Sequence, residues 1–104
     1  MKKLLVRYKV KADRVAENEN LVKEVYKQLY ENSIDGFHYT TIKLEDGVSF
    51  IHIAFVDSDE ANTAFNQLAA FKNFQANIKD RCEELPAVNQ ITLIGSYNFM
   101  HALV

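Results

Sequence analysis

The sequence predicts an α+β domain of order β-α-β-β-α-β, the ferredoxin-like split βαβ arrangement with a four-stranded antiparallel sheet. Three observations predict it. Two strand-like runs, Phe37 to Glu45 and Val48 to Val56, are separated only by Asp46-Gly47. Asp-Gly between alternating apolar residues signals a hairpin, because both residues tolerate the positive φ of a tight primed turn. A helical pattern precedes this hairpin and another follows it. A strand-like run opens the chain and another nearly closes it.

Each element has its own signal. In Lys3 to Lys11, residues Leu4, Val6, Tyr8 and Val10 alternate with Leu5, Arg7 and Lys9, as in a strand with two distinct faces. Asp13 is placed to cap the first helix, where a carboxylate accepts from free backbone N–H groups. Val15, Val22, Val25 and Leu29, with Leu21 beside them, then form an apolar stripe opposite Glu17, Glu19, Lys23, Glu24 and Lys27. Asn32-Ser33 and Asp35-Gly36 end that helix. Asp57 and Glu60 resemble a capping box for the second helix. Its stripe is Ala61, Ala64, Phe65 and Leu68, continued by Phe71, Phe74, Ile78, Cys82 and Leu85, as one bent helix or as two around Ala69-Ala70. Pro86 disfavours helical geometry at Leu85 and is expected to stop it. Val88 to Phe99 reads as the last strand, and the apolar tail Met100 to Val104 as a docked segment.

The 104 residues suit one domain spanning 1–104. A chain of this size buries roughly 65% of the surface its unfolded form exposes, so it needs no disulfide. Cys82 is alone, which excludes a disulfide framework and suits a reducing compartment. It reads as a small apolar residue on a helix. No metal site and no cofactor are expected. Basic residues interrupt the apolar start of the chain, so a signal peptide is not read there, and no apolar run approaches the ~20 residues of a membrane span. A soluble, cytoplasmic protein is expected. The net charge of −2, with both signs dispersed, predicts neither nucleic acid nor membrane as a partner.

A two-residue turn at Asp46-Gly47 pairs Glu45 with Val48, Thr41 with His52 and Tyr39 with Ala54. One hairpin face then carries His38, Thr40, Ile42, Leu44, Ile51, Ile53 and Phe55; the other carries Phe37, Tyr39, Thr41, Phe50, His52, Ala54 and Val56. Both are largely apolar. Two helices cover one face, and the second wants another layer. A second copy of the chain supplies it most simply, giving a homodimer, a dimeric α+β barrel.

The candidate catalytic residues are His52, Tyr39 and Arg7. An imidazole can exchange a proton near neutral pH, and Arg7 would anchor an anion. Tyr97, Phe50, Thr41 and Tyr8 are the candidate substrate-binding residues. Each has a structural alternative: His52 as a half-buried histidine bonded to Thr41 or backbone, Arg7 as a solvated strand residue, the tyrosines as core aromatics with a hydroxyl at the rim. His38 is peripheral and His101 carries no argument. Glu83-Glu84 reads as a solvated surface. No phosphate loop, nucleophile elbow or HExxH motif is present.

Phe50-Ile51-His52-Ile53-Ala54-Phe55-Val56-Asp57-Ser58-Asp59-Glu60-Ala61, followed by Phe71-Lys72-Asn73-Phe74, resembles the antibiotic biosynthesis monooxygenase superfamily. Ile34-Asp35-Gly36-Phe37 resembles its helix-to-strand turn, and Leu85-Pro86-Ala87-Val88 the approach to its last strand. The resemblance covers most of the chain. It implies a dimeric α+β barrel whose members include cofactor-independent oxygenases of quinol-like substrates, haem-degrading enzymes and proteins with no known reaction. Many members carry a Glu on the third strand, an aromatic before the helix and His residues in the second helix. Here those positions correspond to Ala54, Val56, Phe65 and Ala70. The haem-degrading branch uses an Asn, a Trp and a His ligand; this chain has no Trp and no His in its second helix, which argues against haem degradation.

The expected function is that of a cofactor-independent monooxygenase-like protein acting on a small aromatic, quinol- or phenol-type substrate. The alternative is a non-catalytic dimeric barrel that binds a small apolar or aromatic ligand or serves a structural role. An RNA-recognition domain shares the topology and displays aromatics on its sheet, but its Gly-aromatic strand signature and basic footprint are missing. A ligand-sensing regulatory module of this topology normally accompanies an enzyme domain.

Overall fold

The computed structural model describes residues 1–99. In chain order the elements are β1 (Lys2–Val10), α1 (Val15–Asn32), β2 (Phe37–Lys43), β3 (Ser49–Val56), α2 (Asp59–Asn66), α3 (Ala69–Ala76), α4 (Ile78–Arg81) and β4 (Cys82–Gln90). The strands form one antiparallel sheet in the order β2-β3-β1-β4. The predicted βαββαβ order and four-stranded sheet are therefore both present.

The hairpin register is as expected: Thr41 pairs with His52 and Tyr39 with Ala54. The turn is wider than expected. Leu44 N donates to Ser49 O at 2.9 Å and Gly47 N to Leu44 O at 3.0 Å, leaving Glu45 to Val48 as the loop. Only Gly47 takes a positive φ there, +78°. Asp46 works as an acceptor instead. Its carboxylate takes hydrogen bonds from Val48 N, Ser49 N and Ser49 Oγ, the last at 2.6 Å. These bonds stabilise the charged form and pull its pKa down to about 2.

Both helix starts differ from the sequence reading. Ala12–Arg14 forms a 3₁₀ turn before α1, and no side chain caps either segment, so Asp13 is not the cap. Helix α2 is capped by Ser58, whose Oγ accepts from Ala61 N at 3.1 Å, and not by Asp57. Asp57 is drawn away because its backbone N–H donates to Gly36 O and its carboxylate meets His38. Gly36, at φ +76°, holds that close approach; a Cβ there would sit 3.2 Å from Asp57 Cβ.

The largest correction concerns the C-terminal half. The helical run ends at Arg81, and β4 covers Cys82–Gln90 where Val88 to Phe99 was expected. Cys82 is thus a buried strand residue and not a helical one. Pro86, expected to stop a helix, lies inside β4. This is permitted because β4 is an edge strand and its register against β1 is irregular beside Arg7 and Lys9. Pairing with β1 decides the outcome over a three-and-four spacing that local sequence reads as helix. Beyond Gln90, Ile91 N still donates to Lys3 O, but residues 92–99 form no strand. The apolar tail Met100 to Val104, with His101, lies outside the described residues. The second helical region is three helices, α2, α3 and the short α4, broken at Gln67-Leu68 and at Asn77.

The aromatic sheet face meets the helices. Tyr8, Val10 and Phe50 pack with Val22 and Val25 of α1, Phe65 of α2 and Phe74 of α3 in one core. The opposite face carries Leu5, Ile42, Ile51, Ile53 and Phe55, all half-buried and outside that core. No described helix is long and apolar enough to cross a membrane.

Candidate functional site

Three adjacent strands converge on His52. Thr41 and Val6 are its direct cross-strand partners, while Tyr39 and Tyr8 sit two residues along, on its diagonals. Diagonal side chains reach each other when they are long and aromatic. Tyr39 Oη lies 2.6 Å from His52 Nδ1, and Tyr8 Oη 2.8 Å from His52 Nε2. Thr41 Oγ1 is 3.4 Å from Nδ1 and is itself 2.8 Å from Tyr26 Oη. The imidazole is bracketed by two phenols.

Burial sets the charge state. Desolvation lowers the His52 pKa to about 4, so the ring is neutral near pH 7. It also raises both tyrosines above their ordinary value, with Asn18 partly opposing the shift at Tyr8. Three neutral polar groups therefore share an apolar setting.

They line a cavity of about 260 Å³ between sheet and helices. Leu4, Val6, Ala54 and Val56 form its sheet wall, and Phe65, Phe71 and Phe74 its helix wall. Phe65 stacks on Phe37 with centroids 4.1 Å apart and packs on Phe71 at 4.4 Å. Asn62, Asn66 and Gln75 add amides from α2 and α3. A dry apolar cavity of roughly 150 Å³ accepts benzene, so this volume suits one or two fused rings.

Of the sequence-predicted site residues, His52, Tyr39, Tyr8 and Thr41 come together. Phe50 stacks on Tyr8 at 5.5 Å but does not line the cavity. Arg7 is not at the site: strand alternation turns it to the opposite face from Tyr8, where it is exposed. Tyr97 is not there either; it follows the last strand and is 89% exposed. His38 is exposed and contacts Asp57 at 3.2 Å. Two residues were missed. Asn18 and Arg81 are fully buried below His52, with Arg81 Nε donating to Asn18 Oδ1 at 3.1 Å and Asn18 Nδ2 to Tyr8 Oη at 2.9 Å. Asn18 interrupts the Val15–Val22 stripe at the position where an apolar residue belongs, and that was its signal. Among the described residues, no group of three or more His, Cys, Asp and Glu side chains is placed to hold a metal.

No known family profile matches the chain, and no curated protein matches it in sequence. Solved structures do match. An antibiotic biosynthesis monooxygenase superposes with a TM-score of 0.74 at 12% identity, over 91% of this chain and 100% of its own. The fold is that of the antibiotic biosynthesis monooxygenases. Rv0793 from Mycobacterium tuberculosis gives 0.73 at 15% identity, over 90% and 95% of the two chains. A mutant of SnoaB, a cofactor-independent oxygenase from Streptomyces nogalater, gives 0.67 at 15% identity, over 92% and 95%. At these identities the likeness is one of fold. Three of the positions where the monooxygenase resemblance implies polar or aromatic functional groups, Ala54, Val56 and Phe65, are apolar cavity walls here.

Proposed function

We propose that this protein is a cofactor-independent oxygenase acting on a small quinol- or phenol-type ring compound held in the cavity. The observation that carries the reading is His52, braced between Tyr39 and Tyr8 on the wall of a mainly apolar and aromatic pocket whose other polar groups are the amides of Asn62, Asn66 and Gln75. Such chemistry asks the protein for three things: to bind the ring, to stabilise its oxyanion and to exclude water. Phe65, Phe71 and Phe74 supply the first and third, and the Tyr39–His52 pair the second. The substrate anion, its proton lost to solvent, donates electrons to dioxygen. In the monooxygenation of a ring CH₂, one oxygen atom replaces the two hydrogens as a carbonyl and the other leaves as water. The substrate supplies all four electrons.

Oxygen uptake by the purified protein with a panel of hydroquinones and naphthohydroquinones tests this. The wild type is expected to accelerate uptake above the uncatalysed rate. Tyr39→Phe and His52→Ala are expected to lose most of that acceleration while keeping the wild-type circular dichroism. Ring compounds that bind without any uptake would support the second reading, a ligand-binding domain without chemistry, which the apolar Ala54 and Val56 favour.

A second copy of the chain is proposed to cover the half-buried Leu5, Ile42, Ile51, Ile53 and Phe55, completing a dimeric α+β barrel. Contiguous apolar residues left outside the core on one sheet face support that reading, because such faces commonly mark association surfaces.

A further inference from the structure

A single file of polar groups runs under the cavity from α4 to β2. Arg81 Nε donates to Asn18 Oδ1, and Asn18 Nδ2 donates to Tyr8 Oη. Tyr8 Oη meets His52 Nε2, and His52 Nδ1 meets Tyr39 Oη. Arg81 and Asn18 are fully buried, and Tyr8 and His52 nearly so. Among the described residues Arg81 has no carboxylate partner. Its Nη2 donates to Phe74 O at 2.8 Å, its guanidinium lies 5.1 Å from the Phe74 ring, and Nη1 has no partner.

The chemistry of the groups fixes the direction of every bond. A guanidinium has donors only, so the amide oxygen of Asn18 faces it and the amide NH₂ faces Tyr8. Tyr8 Oη therefore accepts, and its own proton has one acceptor within reach, His52 Nε2. A neutral imidazole carries one N–H. With Nε2 bare, that proton sits on Nδ1 and donates to Tyr39 Oη, with Thr41 Oγ1 at 3.4 Å sharing it. The reverse order would give Tyr8 two donors and leave its buried proton without an acceptor, the costly outcome. The Tyr39 proton is left over. Among the described residues Tyr39 Oη bonds only to His52, and Tyr39 lines the cavity.

We infer that Arg81 and Asn18 are positioning residues that lock this proton order, so that Tyr39 offers its hydroxyl proton to the cavity and the cavity selects ring compounds presenting an acceptor oxygen, a phenolate or quinone carbonyl. The inference rests on the reading of the cavity as the ligand site. The Arg81 charge at the head of the file polarises each bond below it and strengthens the Tyr39 donor.

The deciding observation is the His52 tautomer in the ¹⁵N-labelled full chain, read from long-range ¹H–¹⁵N couplings and assigned by loss of the signal in His52→Gln. The ligand-free wild type is expected to show Nδ1 protonated and Nε2 bare at neutral pH; the opposite tautomer overturns the proposal. Asn18→Asp is near-isosteric, supplies a carboxylate to Arg81 and replaces a donor to Tyr8 by an acceptor. It is expected to move the His52 proton to Nε2. It is also expected to weaken binding of 4-nitrophenolate by about tenfold to a hundredfold, the range of one charge-assisted hydrogen bond. Equal 4-nitrophenolate affinity in the two proteins also overturns the proposal. A wild type that binds neither 4-nitrophenolate nor 1,4-naphthoquinone sinks the cavity reading instead, a result distinct from a wrong tautomer. The tautomer needs neither turnover nor the variant, so a misfolded Asn18→Asp leaves the proposal falsifiable.

Discussion

Arg81, at the end of α4, donates through Nε to Asn18 Oδ1 near the start of α1, at 3.1 Å and across 63 positions of sequence. Both side chains are completely buried. This bond fastens the first helix to the strand-ward end of the last one, directly beneath Tyr8 and His52. Removing one partner leaves buried donors without an acceptor. Asn18→Ala is therefore expected to cost about 2–4 kcal/mol, since it strands Arg81 Nε and also opens a small void. Urea unfolding of the two proteins measures this; a loss under 1 kcal/mol would show that water satisfies the guanidinium.

Protonation of His52 should couple to stability. Its folded pKa is depressed to about 4 from the ordinary value near 6.5, so the unfolded chain binds more protons between those values. Stability from this group is complete above pH 6.5 and is lost as pH falls to about 4. The full difference amounts to roughly 3 kcal/mol. Urea midpoints at pH 7 and pH 5 are expected to differ more in the wild type than in His52→Gln. Parallel pH dependence in the two proteins would contradict the buried neutral ring.

Phe65 stands at the junction of the cavity wall and the core, 5% exposed and in contact with Phe37, Phe71 and Tyr39. Phe65→Ala is expected to destabilise the fold by about 3–5 kcal/mol. Phe65→Leu, which keeps most of the volume, is expected to cost less than half of that. Thermal unfolding of both variants separates packing from any effect on ligand binding.

Ser58 caps α2 through one side-chain bond to Ala61 N. Ser58→Ala is expected to cost about 1 kcal/mol, and Ser58→Asp to restore it. Asp57→Ala, at the residue sequence first suggests as the cap, is expected to leave the helix start intact. Denaturant unfolding of the three variants orders them.

The proposed dimer has a direct test in Ile53→Lys, on the sheet face opposite the helices. Light scattering on a sizing column is expected to report close to twice 12.0 kDa for the wild type and 12.0 kDa for the variant. A wild-type monomer would remove the second copy from the proposal.

Much of this architecture was legible in residue patterns. Period-two alternation in Leu4 to Val10 and in the two hairpin strands, and the 3.6-residue stripe of α1, each report one local face and so survive folding. The pairing of Thr41 with His52 was legible for the same reason: register is set by the length of a short turn. The site was half legible. His52, Tyr39, Tyr8 and Thr41 share one strand face, and alternation alone places them together. The same alternation places Arg7 on the other face from Tyr8, but which face the helices would cover was not written locally.

What only the tertiary structure decided lies where distant segments compete with local preference. Phe71 to Leu85 keeps helical spacing past the point where the chain turns into β4, because pairing with β1 outweighs the propensity of a few residues. Asn18 and Arg81 are a solvated amide and a surface cation by local reading. Folding buries both because each supplies what the other needs; the break that Asn18 makes in the Val15–Val22 stripe marks one end of the bond, but nothing in the spacing of Arg81 marks the other. By itself the sequence determined the order of the elements and the face polarity of β1, α1 and the hairpin strands. The sheet's choice of covered face, the edge position of β4 and the file of bonds beneath His52 follow from which surfaces meet, and that depends on contacts between residues that are remote along the chain.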